Sequence, residues 1–307
     1  MIKQIILLIT TICIAVYLVV YSQLFTFDFS SNQLEAFYNM FYLYLGAATY
    51  CFIAGELTKN YSQVDRLWST IPIAYCWYFT YASGMDERLI LMSTLVSIWG
   101  IRLSFNFARK GGFSLLPWKG AEDYRWEILQ KAVPALKTKL NWSLFNFFFI
   151  SFYQMGLIFL FSLPILSAWQ GDSEMTNKDL LVAAVMLSLI IIQTIADEQQ
   201  HKYQTKKYKL IRENKELFGN YKKGFIDTGL WKFSRHPNYS CEQLIWITFY
   251  FFSVSASGRL INWSIIGCIL LVILFYFSAK FSEGISSKKY PLYKDYQNKT
   301  PMFIGLK

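Results

Sequence analysis

The chain has 307 residues, of which 54% are hydrophobic, 19% aromatic and only 16% charged, and its formal net charge is +10. A soluble protein of this length carries roughly 25% charged residues and divides into about two domains. Composition therefore excludes an ordinary soluble enzyme, and no compact basic domain exists that would grip nucleic acid.

Apolar blocks of about 20 residues with few charges are transmembrane candidates. Eight occur, at roughly 4–25, 37–57, 66–83, 88–107, 141–168, 179–198, 240–257 and 261–283. They predict an all-α polytopic membrane bundle of about seven to eight transmembrane helices. The first block is longer than the apolar region of a secretory signal, and no small-residue cleavage site follows in "VVYSQLFTFDFS", so it is expected to remain as a helix. With eight spans, one face collects every Lys and Arg except Arg88, Lys178 and Arg259, while the opposite loops carry Asp28, Glu35, Asp86, Glu87, Asp172 and Glu174. This positive-inside pattern places both termini on the cytoplasmic-type face. The net charge then reports topology and contact with anionic membrane lipid.

The five cysteines, Cys13, Cys51, Cys76, Cys241 and Cys268, fall in or beside the spans without CxxC spacing. They read as small apolar packing residues rather than a disulfide framework or a zinc site. His201 and His236 are the only histidines, too few for a histidine-box di-iron centre, and no metal is expected. No GxGxxG follows a strand pattern, so a soluble Rossmann domain is excluded and any nucleotide must bind among helices and loops.

Three polar stretches on the basic face interrupt the membrane pattern. In "SQVDRLWSTIP" (62–72), Asp65 stands at the mouth of the third span. By residue type it reads as an N-cap. Alternatively, it is a carboxyl in an apolar cleft, with a raised pKa and a proton to donate. In "WGIRLSFNFARKGG" (99–112), Arg102, Asn106 and Arg109 form a polar stripe on one helix face. The stripe suits a phosphate or a structural ion pair between Arg102 and Glu56, Glu122 or Asp123. In "IADEQQHKYQTKKYK" (195–209), Gln193, Asp197 and Gln200 line one face where the sixth span is expected to end. An ionisable residue at that depth faces a cavity or a partner.

The densest feature is "FSRHPNYSCEQLIW" (233–246). Pro237 suits the first turn of a helix. Lys232, Arg235 and His236 precede a helix N-terminus, whose free N–H groups favour an anion. Asn238, Glu242 and Trp246 then share one helix face at i, i+4 and i+8. A basic interfacial turn with aromatic anchors accounts for Arg235, Tyr239 and Trp246, but not for Glu242.

Taken together, "QVDRLWS..P", "WG.RL", "EDYRW", "ADEQ....Q..K", "GLW..SRHPNY..E..IW" and "KYPLYKDYQ..T" resemble an uncharacterised membrane-protein family of the steroid 5-alpha-reductase superfamily. The match covers residues 59–307 and leaves 1–58 as N-terminal transmembrane helices outside it. The resemblance implies an NADPH-dependent reductase that transfers hydride to an activated carbon–carbon double bond of a lipid or steroid-like substrate. Asn238, Tyr239 and Glu242 then match the cofactor motif, Asp197 an aspartate of the cofactor site and Arg102 its phosphate-binding arginine. Asn106, Arg109, Arg235 and His236 are candidates to assist them. Asp65 falls where the family polarises the substrate carbonyl, with Tyr78 or Tyr81 as its partner. Cys241 stands where the family motif has Gly. One alternative is a non-catalytic relative serving as a subunit of a larger membrane complex. The other is an S-adenosylmethionine-dependent membrane methyltransferase, against which a lone Glu283 followed by Gly284 counts. The expected membrane is that of the endoplasmic reticulum, with a mitochondrial or bacterial inner membrane as alternatives.

Overall fold

The computed structural model describes residues 27–304 apart from 115 and 117. The first expected span lies outside the described residues, as does Cys13. Among the described residues the structure is helical, with no strand.

Helix α1 (Ser31–Thr58) opens with a capping box: Ser30 Oγ accepts the Gln33 N–H, and the Gln33 side chain accepts the Ser30 N–H. These bonds satisfy donors that a helix start leaves open. Two short helices follow, α2 (Gln63–Trp68) and α3 (Ile71–Ala82), broken at Ser69 and Thr70. Helix α4 (Glu87–Ala108) begins under an Asp86 cap on the Leu89 N–H at 3.1 Å. After α5 (Tyr124–Ala132) comes a composite helix made of α6 (Lys139–Phe145), a π-helical stretch (Asn146–Tyr153), α7 (Gln154–Ser162) and α8 (Pro164–Trp169). Then follow α9 (Asn177–Arg212), α10 (Pro237–Ser257), α11 (Ile265–Lys289) and the short α12 (Tyr293–Lys299).

Among the described residues, five helices are long and apolar enough to cross a membrane: α1, α4, the composite Lys139–Trp169, α9 and α11. The composite is the innermost, with 72% of its apolar window buried against 22% in α11, so α11 offers its side chains to lipid. The third and seventh expected spans are not among the five. The third is divided, and α3 with 12 residues reaches about 18 Å of a roughly 30 Å hydrocarbon core. The seventh is α10, which carries Asn238, Glu242 and Gln243 inward and buries 13 of its 21 residues. It is a core helix whose polar residues face protein.

The break in the third span is held by close backbone contact. A Cβ on Gly100 of α4 would lie 2.4 Å from the Ser69 carbonyl oxygen, so only glycine lets the two segments meet. Helix α10 packs most closely along α9 and α8, with α11 and α4 completing its surroundings. Trp99, Trp246 and Phe161 fill this centre. The two indoles meet edge-on at 4.9 Å, and Phe161 lies 4.1 Å from Trp246. Such pairs add about 0.5–1.5 kcal/mol beyond the area they bury. Helix α9 does not end near Glu198 as expected but continues unbroken to Arg212.

Candidate functional site

Where α4, α9 and the start of α10 converge, five polar side chains form a network inside the aromatic core. Arg102 Nη1 donates to Asp197 Oδ2 at 2.8 Å, and Nη2 donates to Gln193 Oε1 at 2.7 Å. Gln193 Nε2 donates to Glu242 Oε2 at 2.7 Å and to the Asn238 carbonyl at 3.2 Å. Asn238 Nδ2 donates to Asp197 Oδ1 at 3.2 Å. The Trp99 and Trp246 indoles donate to the two oxygens of Glu242 at 3.1 and 3.3 Å, and Arg102 Nη2 approaches Glu242 to 3.9 Å. The partner of Arg102 is thus Asp197, rather than Glu56, Glu122 or Asp123. Two polar atoms in this cluster, Arg102 Nε and Asn238 Oδ1, are buried without a hydrogen-bond partner among the described residues. Buried polar groups are otherwise almost always paired, so the cluster has a vacant donor and a vacant acceptor.

Further along the same face, Arg109 pairs with Glu198 and donates to Asn106 Oδ1 at 2.8 and 3.0 Å. Lys110, which the sequence reading passed over, lies within electrostatic reach of Asp197, Arg109 and Arg102. Cys241 is fully buried and within reach of Glu242, Arg102 and Asp197.

Arg235 and His236 do not join this network. Arg235 Nε and Nη2 donate to Glu283 at 2.6 and 3.1 Å, and Nη1 donates to the Gln297 and Thr300 carbonyls. His236 Nε2 lies 3.0 Å from Glu283 Oε1, and Gln297 Nε2 donates to Glu283 Oε2 at 2.8 Å. The backbone N–H groups of residues 235 and 236 donate to the Pro301 and Met302 carbonyls. These bonds clasp the end of α12 and the residues after it to the two residues that lead into α10 and to Glu283 of α11. Tyr239 stacks on His236 at 5.3 Å and stands edge-on to Phe275 at 4.9 Å.

Asp65 occupies the third position of α2 rather than its N-cap. Part of its surface stays accessible, yet the carboxyl is closely surrounded. Burial, and then the Asp123 carboxylate, push its pKa from 3.8 to about 6, against the lowering action of the Ser62 hydroxyl and Arg125. Arg125 pairs with Asp123 and donates to Ser278 Oγ at 2.7 Å. Of the two tyrosines proposed beside Asp65, Tyr81 is 76% exposed and Tyr78 receives a hydrogen bond from Asn39 Nδ2 at 2.7 Å. Sequence reasoning missed Tyr75. It is fully buried, and its hydroxyl has no partner among the described residues. Cys51 lies within electrostatic reach of both Asp65 and Tyr75. Spacing carried the signal, since Tyr75 shares the inward face of α3 with Ile71, Pro72 and Phe79.

Among the described residues no group of His, Cys, Asp and Glu is arranged to hold a metal ion. Fold and site together define an all-helical protein of membrane type with a buried ionic network. Residues 51–300 match the family described as "Protein of unknown function (DUF1295)", and the chain belongs to that family. It is 36% identical over 259 residues to an uncharacterised protein of Schizosaccharomyces pombe, a match covering 80% of this chain and 73% of that protein. No solved structure matches the chain.

Proposed function

We propose that the protein is a membrane NADPH-dependent reductase of the steroid 5-alpha-reductase type, acting on an activated double bond of a lipid or steroid-like substrate. The observation that carries this reading is the Arg102–Asp197–Asn238–Gln193–Glu242 network, with its unpaired Arg102 Nε and Asn238 Oδ1. A dinucleotide offers what both atoms lack: phosphate oxygens for the guanidinium, and hydroxyl or amide donors for the Asn238 oxygen. Arg102, with Arg109 and Lys110 beside it, would hold the phosphates, while Asp197, Asn238 and Glu242 would hold the ribose and the nicotinamide amide. NADPH when bound supplies the hydride. Glu242, fixed by two indoles and Gln193, orients without needing to move. Arg235 and His236 position the start of α10 through Glu283. Asp65, or Tyr75 deeper on the same side, supplies the proton that completes saturation of the double bond.

On the positive-inside distribution we assign both termini to the cytoplasmic side, and we take the endoplasmic reticulum as the membrane. One observation favours a second reading, that of a non-catalytic subunit: Arg102 and Asp197 already neutralise each other, with Cys241 packed beside them. The two separate in one experiment. Titration calorimetry in mild detergent should show micromolar NADPH binding that Glu242→Ala abolishes, with no binding of S-adenosylmethionine. Failure to bind NADPH, with stable partners co-purifying, would overturn the reductase reading.

A further inference from the structure

A cleft of about 420 Å³ opens on the basic face, away from the network, and its size falls within the roughly 300–1,000 Å³ usual for ligand sites. It lies between the C-terminal end of α1 and the first residues of the composite span, with α5 as its third wall. The ends of two apolar spans thus set its depth at the boundary between hydrocarbon and water.

Its lining divides into two halves of different chemistry. One half is aromatic and acidic. Tyr61 and Trp142 stand perpendicular, with centroids 5.3 Å apart and an interplanar angle of 86°, and Trp126 adds a further aromatic wall. Glu122 and Glu127 accompany them. Glu122 Oε1 accepts the Tyr61 N–H at 2.6 Å, and Glu127 shares its charge with Lys131, both exposed. The other half is basic, with Lys59, Lys137 and Lys139. Lys59 leans on Glu56 at 3.6 Å, whereas Lys137 and Lys139 make no ion pair with another described residue. The indole Nε1 of Trp126 is buried with no hydrogen-bond partner among the described residues, while Trp142, 4% exposed, is turned to the Tyr61 hydroxyl.

We propose that this cleft seats the headgroup of a zwitterionic phospholipid. Its ammonium lies among Tyr61, Trp126, Trp142 and the two glutamates, and its phosphate meets Lys137, Lys139 and the unpaired Trp126 N–H. Aromatic walls at right angles with a carboxylate nearby suit an ammonium group, because ring faces and acid both attract a cation. A purely anionic headgroup satisfies the lysines but meets the glutamates with like charge. A purely cationic ligand leaves the lysines and the Trp126 indole donor without an acceptor. Only a headgroup that carries both charges, at the depth where headgroups lie, answers both halves. This inference stands independently of the reductase reading.

The test uses the full chain, delipidated in mild detergent, with phosphatidylcholine, phosphatidylethanolamine and phosphatidylglycerol added back and bound lipid counted by native mass spectrometry. The two zwitterionic lipids should bind about tenfold more tightly than phosphatidylglycerol, and the Lys137→Ala/Lys139→Ala double variant should lose about that factor. Trp126→Ala should weaken both zwitterions, with thermal unfolding as the control for folding. The double variant alters exposed side chains, so it stays informative if Trp126→Ala fails to fold. Soluble phosphocholine should displace the lipid and inorganic phosphate should not. Equal binding of phosphatidylglycerol, an unaffected double variant, or displacement by inorganic phosphate alone would overturn the proposal, the last by showing a free-anion site.

Discussion

Helices α4 and α9 are joined twice by the same chemistry, at opposite ends. At one end Arg88 Nε donates to Asp179 Oδ1 at 2.9 Å, Nη1 to the Ser173 carbonyl at 2.9 Å, and Nη2 to the Glu174 carbonyl at 2.7 Å. At the other end, about 21 Å along α4 by helical rise, Arg102 uses Nη1 and Nη2 on Asp197 and Gln193 while Nε goes unmatched. Arg88 is a finished joint that anchors the loop before α9. Arg102 is an incomplete one, and the incomplete joint is where a second molecule gains most by binding. A buried ion pair alone does not mark a functional site, because both ends have one. The proposed cofactor role rests instead on the unmatched Arg102 Nε and Asn238 Oδ1.

Breaking the finished joint should have the largest effect on the folded protein. Arg88→Ala leaves Asp179 buried without its cation, which costs about 3–5 kcal/mol. Thermal unfolding in detergent should show the loss, while NADPH affinity of the molecules that remain folded stays as in the parent. Arg102→Ala likewise leaves Asp197 without its cation, and should differ by weakening NADPH binding as well. Removing a charged hydrogen-bond donor from a bound phosphate costs about 1.5–3 kcal/mol, a ten- to hundredfold weakening of NADPH binding by calorimetry. Equal losses of stability at the two ends, with binding untouched, would erase the distinction between them.

The clasp around Glu283 offers a third point on the same scale, since Arg235 there has carbonyl or carboxylate acceptors for all three of its nitrogens. Arg235→Ala should release the segment around Pro301 and Met302, detected as faster proteolysis after α12, with a smaller change in NADPH affinity than Arg102→Ala produces. Asp65 adds a dependence on pH. Folding raises its pKa from 3.8 to about 6, so the folded state holds this proton more tightly than the unfolded chain does. Stability from this group is therefore greatest below about pH 4 and declines as pH rises through about 6. Reductase activity should fall over the upper part of the same window, as the proton to be donated is lost, and Asp65→Asn should remove both limbs. The smallest effect expected is from Cys241→Gly, a gain of about a few-fold in NADPH affinity from closer backbone approach.

Much of the fold was legible because membrane spans are written in composition. The helices α1, α4, α9 and α11 and the composite Lys139–Trp169 all fall on apolar blocks. Legibility failed where polar residues face protein rather than water. The helix of α10 was legible from Pro237 and the block at 240–257, but Glu242 and Gln243 lower its apolar character and hid its place at the centre of the molecule. The π-helical stretch at 146–153 left no mark in a run of Phe, Ile and Ser. Within the candidate site, sequence placed Arg102, Asp197, Asn238 and Glu242 on faces that the structure brings together. It gave Arg102 other partners than Asp197, because pairing across 95 residues depends on how α4 and α9 cross. Arg235 and His236 looked like an open anion site only because Glu283 and the C-terminal carbonyls are remote in sequence.

The unbroken length of α9 works as a depth gauge. Its 36 residues span about 54 Å, well beyond a hydrocarbon core of roughly 30 Å. Asp197 lies 20 residues from its start at Asn177, about 30 Å along. Measured from a hydrocarbon boundary at the start of α9, that is the level of the opposite boundary. At that level the proposed cofactor would dock from the aqueous side without entering the hydrocarbon, and the proposed lipid substrate would meet it edgewise from within the leaflet.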